Sequence, residues 1–410
     1  MKVQLSHNNF FEHTVEIEIT GSKSESNRLL ILQALYPNLK IKNLSESDDT
    51  KVLTSGIQLT EGEVDVHHAG TAMRFLTAYF ATTPGTHITL TGSARMQERP
   101  VKLLVESLRK LGCVIEYEKE AGFPPLRIKG SIPSISEVDI SANVSSQYIS
   151  ALMLVAPRLP HGLTIRLKGK VTSIPYIEMT LSLLKQIGIL GTFSGQEISI
   201  PPVRKIDDRT VVVESDWSSA SYFYSLVALS SNLSVKIKSY RKDSLQGDSA
   251  LVSIYEQLGV HSEFIEAEQA LLLTKTNSEL SETIVLDLAN TPDIAQTIAV
   301  TCFGNGISCK LSGLHTLKIK ETDRLVALKN ELSKLGAEVE ITENSLYLKS
   351  GNHINPNVEI ATYNDHRMAM AFAPLALKVP IRILDAEVVS KSYPRYWEDL
   401  KTIGLVVISE

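Results

Sequence analysis

The 410-residue chain is 43% hydrophobic and 21% charged, an ordinary globular composition with length enough for two or three domains. Its formal net charge of −5 argues against a general nucleic-acid binder, and Cys113, Cys302 and Cys309 lack the spacing of a zinc site or a disulfide framework. With no apolar run of membrane-spanning length and a polar start, MKVQLSHNNF, the expectation is a cytoplasmic protein with no membrane partner.

The first chemically suggestive stretch in chain order is GSKSESNR, residues 21–28, followed by the apolar run LLILQAL. Lys23-Ser24 has the look of a phosphate-binding P-loop, but Glu16 stands where the upstream glycine is needed, so that loop is not encoded. What remains is a capped helix start, and helix starts attract anions. The same kind of segment returns as AGTAMRFLTAYFA from Ala69, VSSQYISALMLVA from Val144, DWSSASYFYSLVAL from Asp216, TPDIAQTIAVTCF from Thr291 and YNDHRMAMAFAPLAL from Tyr363. With Ser24, Thr71, Ser145, Ser218, Asp293 and Asp365 as markers, the spacings are 47, 74, 73, 75 and 72.

After each such segment comes a second helix, amphipathic and mostly closed by a glycine before an apolar strand-like run, as in LVESLRKLGCVIEY and ALKNELSKLGAEVEI. The first copy is shorter, with only DDTKVLTSGIQL ending near Gly56. Hairpin candidates such as HITLTG, VVVES, LSVKIKS and SLYLKS lie between copies, so the chain reads as an α/β protein of six repeat units. Lys23, Arg28, Arg74, Arg99, Lys320, Arg324, Arg367 and Lys391 collect at the helix starts and nearby loops, which points to a small polyanionic ligand.

These residues also carry a resemblance. GSKSESNR, AGTAMR (69–74), RMQERP (95–100), SSQ (145–147), SIPYIEMT (173–180), SSASYF (218–223), SLQGD (244–248), PDIAQT (292–297), KETDRL (320–325), ATYNDHRMAMAF (361–372) and VVSKSYP (388–394) stand in the order and spacing of the 5-enolpyruvylshikimate-3-phosphate synthase family of enolpyruvyl transferases. The resemblance covers nearly the whole chain. It implies two domains, each of three βαβαββ units, around an interdomain cleft: residues 1–20 with 216–410 as a discontinuous domain, and 21–215 inserted. It implies transfer of the enolpyruvyl group of phosphoenolpyruvate to the 5-hydroxyl of 3-phosphoshikimate on the route to chorismate and the aromatic amino acids. It further implies a monomer with no metal and no cofactor, a target of glyphosate.

Carried over by position, the resemblance assigns 3-phosphoshikimate to Lys23, Ser24, Arg28, Ser145, Ser146, Gln147, Ser173, Asp293, Thr316 and Lys320. Phosphoenolpyruvate falls to Lys23, Gly70, Arg99, Gln147, Arg324, Arg367 and Lys391. For proton traffic, Asp293 is the candidate base at the hydroxyl and Glu321 the candidate acid at carbon, with Lys23 sharing in transfer and His366 and Lys391 as possible assistants. A salt bridge to a basic neighbour is the competing reading of Glu321, and a plain helix cap that of Ser145. His68, Phe75 and Thr316 depart from the family's usual asparagine, proline and asparagine. Two alternatives stand beside this: a sister transferase acting on UDP-N-acetylglucosamine, which relies on a reactive cysteine, and a noncatalytic anion-binding repeat scaffold.

Overall fold

A computed structural model of the chain describes residues 1–7, 14–142, 145–169, 171, 174–351 and 353–410. These form two compact units, Gly21–Val213 and Met1–Thr20 with Glu214–Glu410. The return crossing lies between Val213 and Glu214, two residues before the position expected from the sequence, for a local reason. The Glu214 carboxylate accepts hydrogen bonds from Trp217 Nε1 at 2.9 Å and Ser244 Oγ at 2.6 Å, and Ser215 Oγ donates to the Ile19 carbonyl at 2.6 Å, so both residues are fastened into the discontinuous unit.

The inserted unit carries helices α1 (Lys23–Leu35), α2 (Asp48–Gly56), α3 (Gly70–Thr82), α4 (Ala94–Gln97), α5 (Lys102–Lys110), α6 (Ser146–Val155) and α7 (Ile174–Gln186). Its second copy shows the repeat most plainly. Strand Glu61–Asp65 crosses through α3 to the parallel strand His87–Thr91, and after α5 the hairpin Val114–Tyr117 and Leu126–Lys129 closes the sheet antiparallel. A helix crossover is the ordinary way to join parallel neighbours, and a tight hairpin the ordinary way to join antiparallel ones. The third copy repeats this order with Glu137–Ser141, Leu163–Lys168, Thr192–Ser194 and Glu197–Ile200. The first copy has a two-stranded sheet, Leu39–Lys42 parallel to Arg209–Val212, a strand supplied from the far end of the unit.

The discontinuous unit carries α8 (Trp217–Leu229), α9 (Leu251–Glu256), α10 (Ala295–Gly304), α11 (Arg324–Lys334), α12 (His366–Phe372) and α13 (Tyr396–Ile403). Here the chain's first residues complete two sheets. Thr14–Ile17 is the opening strand of the α8 copy, parallel to Ser234–Lys238. Val3–His7 lies in the last copy between Ile381–Ile383 and Leu405–Ser409, antiparallel to both.

Which helices lie inside follows from composition. In α8 every residue but Ser218 is buried, and α10 is buried from Ala295 to Phe303. A helix apolar on all sides belongs in a core. Where these two helices meet, small hydroxyl residues permit close approach and satisfy one another, Ser221 with Thr297 at 3.0 Å and Thr301 with Ser225 at 2.8 Å, and Tyr255 of α9 joins Thr301 at 2.9 Å. The second helices are one-sided; α5 buries Leu104, Val105 and Leu108 and exposes Lys102, Arg109 and Lys110. They close on left-handed glycines, as at Gly112 (φ 102°) and Gly336 (φ 103°), where a side chain would be strained. A buried helix offers solvent only its ends, so the polar chemistry gathers at the starts of the first helices.

Candidate active site

In the discontinuous unit the site is built around Arg324, the first residue of α11 and 2% exposed. Its guanidinium is divided among three carboxylates: Nε to Asp365 at 2.6 Å, Nη1 to Asp293 at 2.9 Å and Nη2 to Glu321 at 2.9 Å. Asp323 caps the helix by accepting from the Leu325 and Val326 amides, and so fixes where Arg324 begins. Burial works against the Arg324 charge, but Asp365, Glu321 and Asp293 outweigh it and push the group above its ordinary range.

Asp293 lies in the 3₁₀ turn Pro292–Ile294 that leads into α10. Three cations meet its carboxylate: Arg324 at 2.9 Å, Lys320 at 3.3 Å and Arg367 at 3.3 Å. Burial tends to raise this carboxyl, yet Arg367, Lys320 and Arg324 together hold it well below the usual carboxylate range. Asp293 is therefore a firmly ionised group of low basicity in this arrangement. Arg367 also donates to the Asp293 carbonyl at 3.0 Å and to Ser218 Oγ at 3.2 Å. Asp365, wholly buried, caps α12 through the Arg367 amide at 2.9 Å and so joins Arg324 to Arg367.

The remaining predicted residues of this unit stand nearby in varied settings. Glu321 is in the salt bridge to Arg324 already described. Lys391 Nζ donates to the Asn364 carbonyl at 2.6 Å. Tyr363 and Asn364 are both left-handed, with φ of 53° and 56°, a strained turn that hands that carbonyl to Lys391 and Asp365 to α12. Thr316 Oγ1 is buried without a hydrogen-bond partner among the described residues, a hydroxyl ready to donate to an anion. Asp248, which the sequence reading passed over inside SLQGD, accepts from Ser218 and Thr291 hydroxyls. Its carboxyl is raised by burial and by Asp293, against the pull of Arg367.

In the inserted unit the cations are held differently. Lys23 opens α1 behind the cap Ser22 and pairs with Asp49 of α2 at 3.6 Å. Among the described residues Arg28, 2% exposed, donates only to neutral acceptors: Thr180 Oγ1 at 2.9 Å, the Ser24 carbonyl at 2.8 Å and Ser150 Oγ at 2.8 Å. Burial pulls it down to about 10, against Tyr176 and Glu25, so it remains charged at neutral pH. Arg74, 4% exposed, donates to the Gly70 and Pro100 carbonyls, and burial with Arg99 beside it lowers it to about 10.

Gly70 opens α3, and a side chain there would meet Arg99 at once: a Cβ would stand 2.7 Å from Nη1 and 2.9 Å from Nη2. Among the described residues Arg28, Arg74 and Arg99 have no carboxylate within ion-pair distance. Buried cations without counter-ions are costly unless a ligand supplies the charge. Ser145 is the N-cap of α6, accepting from the Gln147 amide at 3.4 Å, and Ser146 is the helix's first residue. Gln147 Nε2 reaches Thr71 Oγ1 at 3.0 Å, which ties α6 to the start of α3. Ser173 lies outside the described residues.

The geometry thus brings Asp293, Glu321, Lys320, Arg324 and Arg367 into one cluster, and Gly70 with Arg99 into contact. Asp49, Asp248 and Asp365 are the carboxylates that the sequence reading did not name as site residues. Cys113 is buried and its thiol is pushed up to about 12, the opposite of a reactive cysteine. No helix among the described residues is long and apolar enough to cross a membrane.

Comparison with known proteins identifies the family of the chain. The family described as EPSP synthase (3-phosphoshikimate 1-carboxyvinyltransferase) matches residues 54–400. A 3-phosphoshikimate 1-carboxyvinyltransferase of Bacteroides fragilis is 45% identical over 395 residues, covering 95% of this chain and 95% of its own. One from Escherichia coli (strain K12 / DH10B) is 36% identical over 422 residues, covering 95% of this chain and 96% of its own. An EPSP synthase from Acinetobacter baumannii has a similar structure, with a TM-score of 0.77 at 20% identity and 100% of both chains covered.

Proposed function

Since the chain belongs to the EPSP synthase family, we propose that it moves the enolpyruvyl group of phosphoenolpyruvate onto the 5-hydroxyl of 3-phosphoshikimate and releases phosphate. The hydroxyl oxygen attacks C2 of the donor while the C3 methylene takes a proton, giving a ketal that carries carboxylate and phosphate on one carbon. The new methyl group then loses a proton, the C2–O bond to phosphate breaks, and phosphate leaves with the electron pair. Both substrates are polyanions and repel one another, so they meet only where positive charge offsets their own. Cations are therefore the first requirement.

The observation that carries this reading is the unneutralised set Arg28, Arg74 and Arg99, two of them buried, in a protein of net negative charge. Gly70 and Arg99, with Arg324, Arg367 and Lys391, are proposed for the donor's carboxylate and phosphate. Lys23, Ser24, Arg28, Ser145, Ser146, Gln147, Ser173, Thr316 and Lys320 are proposed for the acceptor, with Lys23 and Gln147 serving both. Guanidinium forks suit carboxylate and phosphate; the cap hydroxyls suit phosphate oxygens.

Asp293 is the proposed base and Glu321 or Lys23 the proposed acid. Asp293 in its three-cation setting is too weak a base, and Glu321 is engaged in its salt bridge to Arg324. Donor anions that draw Arg324 and Arg367 toward themselves loosen both pairings together, which raises Asp293's basicity and frees Glu321 to take part in proton transfer. One arginine thereby links donor binding to both proton sites. Phosphate release measured with 3-phosphoshikimate, with UDP-N-acetylglucosamine and with no acceptor tests the reading. Turnover with the first alone is the expected result; turnover with the second, or with neither, overturns it.

A further inference from the structure

All four of the larger helices of the inserted unit send a residue to one point, and that point is the Arg28 guanidinium. Arg28 comes from α1, Phe75 from α3, Ser150 from α6, and Tyr176 with Thr180 from α7. The repeat explains the meeting: Arg28 lies four residues after Ser24 and Phe75 four after Thr71, the same position in two copies, so both face the shared interior. The Arg28 Cζ stands 5.5 Å from the Phe75 ring centre and 5.6 Å from that of Tyr176. Thr180 Oγ1 donates to the Tyr176 carbonyl at 2.7 Å, which leaves its lone pairs for Arg28 Nε.

This shell immobilises a cation with no carboxylate in ion-pair contact among the described residues; Glu25 on the same helix acts on it only from beyond that distance. A carboxylate would fix the guanidinium more strongly, but it would compete with any anionic ligand for the same charge and the same N–H groups. Ring faces and neutral oxygens hold the plane and leave the charge whole. Among the described residues, three of the five guanidinium N–H groups are used by Thr180, Ser24 and Ser150, which leaves two for a ligand. We propose that Phe75, together with Tyr176, is a positioning residue that sets the affinity for the acceptor's carboxylate by holding Arg28 in plane. The proposal rests on the reading that Arg28 binds that carboxylate.

The test compares Michaelis constants for both substrates in the full-length enzyme. Arg28→Lys keeps the charge and loses the plane; it should raise the acceptor constant and spare the donor constant, and no change in the acceptor constant would remove Arg28 itself, whatever Phe75 does. Phe75→Leu keeps an apolar branched side chain, smaller than the original, and loses the ring; it should raise the acceptor constant about three- to tenfold, with donor constant and kcat within about twofold. Phe75→Tyr should behave as wild type. On the Arg28→Lys background, Phe75→Leu should add less than about twofold. Tyr176→Leu, at a half-exposed position, gives the same acceptor-only effect and serves if Phe75→Leu does not fold. A donor constant that rises as much as the acceptor constant would show that Phe75 acts through α3 and Gly70, and full additivity with Arg28→Lys would show that it does not act through Arg28; either result overturns the proposal.

Discussion

Gly70→Ala is the sharpest single perturbation of the proposed donor site. The added Cβ would lie 2.7 Å from Arg99 Nη1, 2.9 Å from Nη2 and 3.0 Å from Cζ, where ordinary contacts begin near 3.4 Å. The obstacle is the far end of a flexible side chain, so the guanidinium retreats by about 0.5–1 Å and the backbone stays. Gly70 is outside the left-handed region and opens a helix, so alanine is tolerated there and adds up to about 1 kcal/mol of helix propensity. The cost falls on ligand binding. A charged hydrogen bond contributes about 1.5–3 kcal/mol, and losing the lower end of that range is close to a tenfold change. We expect KM for phosphoenolpyruvate to rise about tenfold, with KM for 3-phosphoshikimate within about twofold and Tm within about 2 °C. Steady-state kinetics with a thermal melt decides it. An unchanged donor constant would mean that Arg99 does not contact the donor, and a melt lowered by many degrees would mean that the methyl group strains the fold. Glyphosate, which the family resemblance places in the donor site, is longer than the donor and less able to withdraw, so its inhibition constant at saturating acceptor should rise by the larger factor.

Other predictions follow from the carboxylates. Asp293→Asn should abolish most turnover and retain 3-phosphoshikimate binding by calorimetry; near-normal kcat would remove Asp293 from the mechanism. Because the Asp293 carboxyl is depressed in the folded protein, its stabilisation is present above its ordinary value of 3.8 and is lost as pH falls below it, so the Asn variant should show a shallower loss of stability on acidification. Arg324→Met leaves Asp293, Glu321 and Asp365 without their shared cation and should cost about 3–5 kcal/mol, read as a melting temperature lower by about 10 °C. Thiol reagents at neutral pH should leave native activity intact, since burial pushes Cys113 up to about 12; rapid inactivation that acceptor prevents would contradict this.

The repeat was legible because its signals are local. Marker spacing, glycine stops such as Gly112 and Gly336, and hydroxyl-rich helix starts all lie within a few residues of what they specify. The strand exchanges were not legible, since nothing within Val3–His7 or Arg209–Val212 names a partner sheet. The cations of the site announced themselves against an acidic background and the resemblance named Asp293 and Glu321, whereas Asp49, Asp248 and Asp365 passed unnamed. Asp49 reads as one more acid at a helix start, and only the fold brings it to Lys23. Asp248 and Asp365 lay inside quoted motifs, but their use depends on which hydroxyl or guanidinium arrives opposite. Phe75 could be marked as unusual from the sequence; its ring's position over Arg28 required four helices to be placed.

The position of Val3–His7 between Ile381–Ile383 and Leu405–Ser409 also governs the order in which the protein can be made. Val3–His7 leaves the ribosome more than 370 residues before either neighbour exists, whereas residues 21–213 contain all the strands of their own sheets and can fold during synthesis. A nascent chain halted between residues 213 and 381 therefore carries a finished inserted unit and, at Val3–His7, an unpaired strand edge. Such an edge is open to pairing with other chains, and its protection until termination falls to whatever escorts the growing polypeptide.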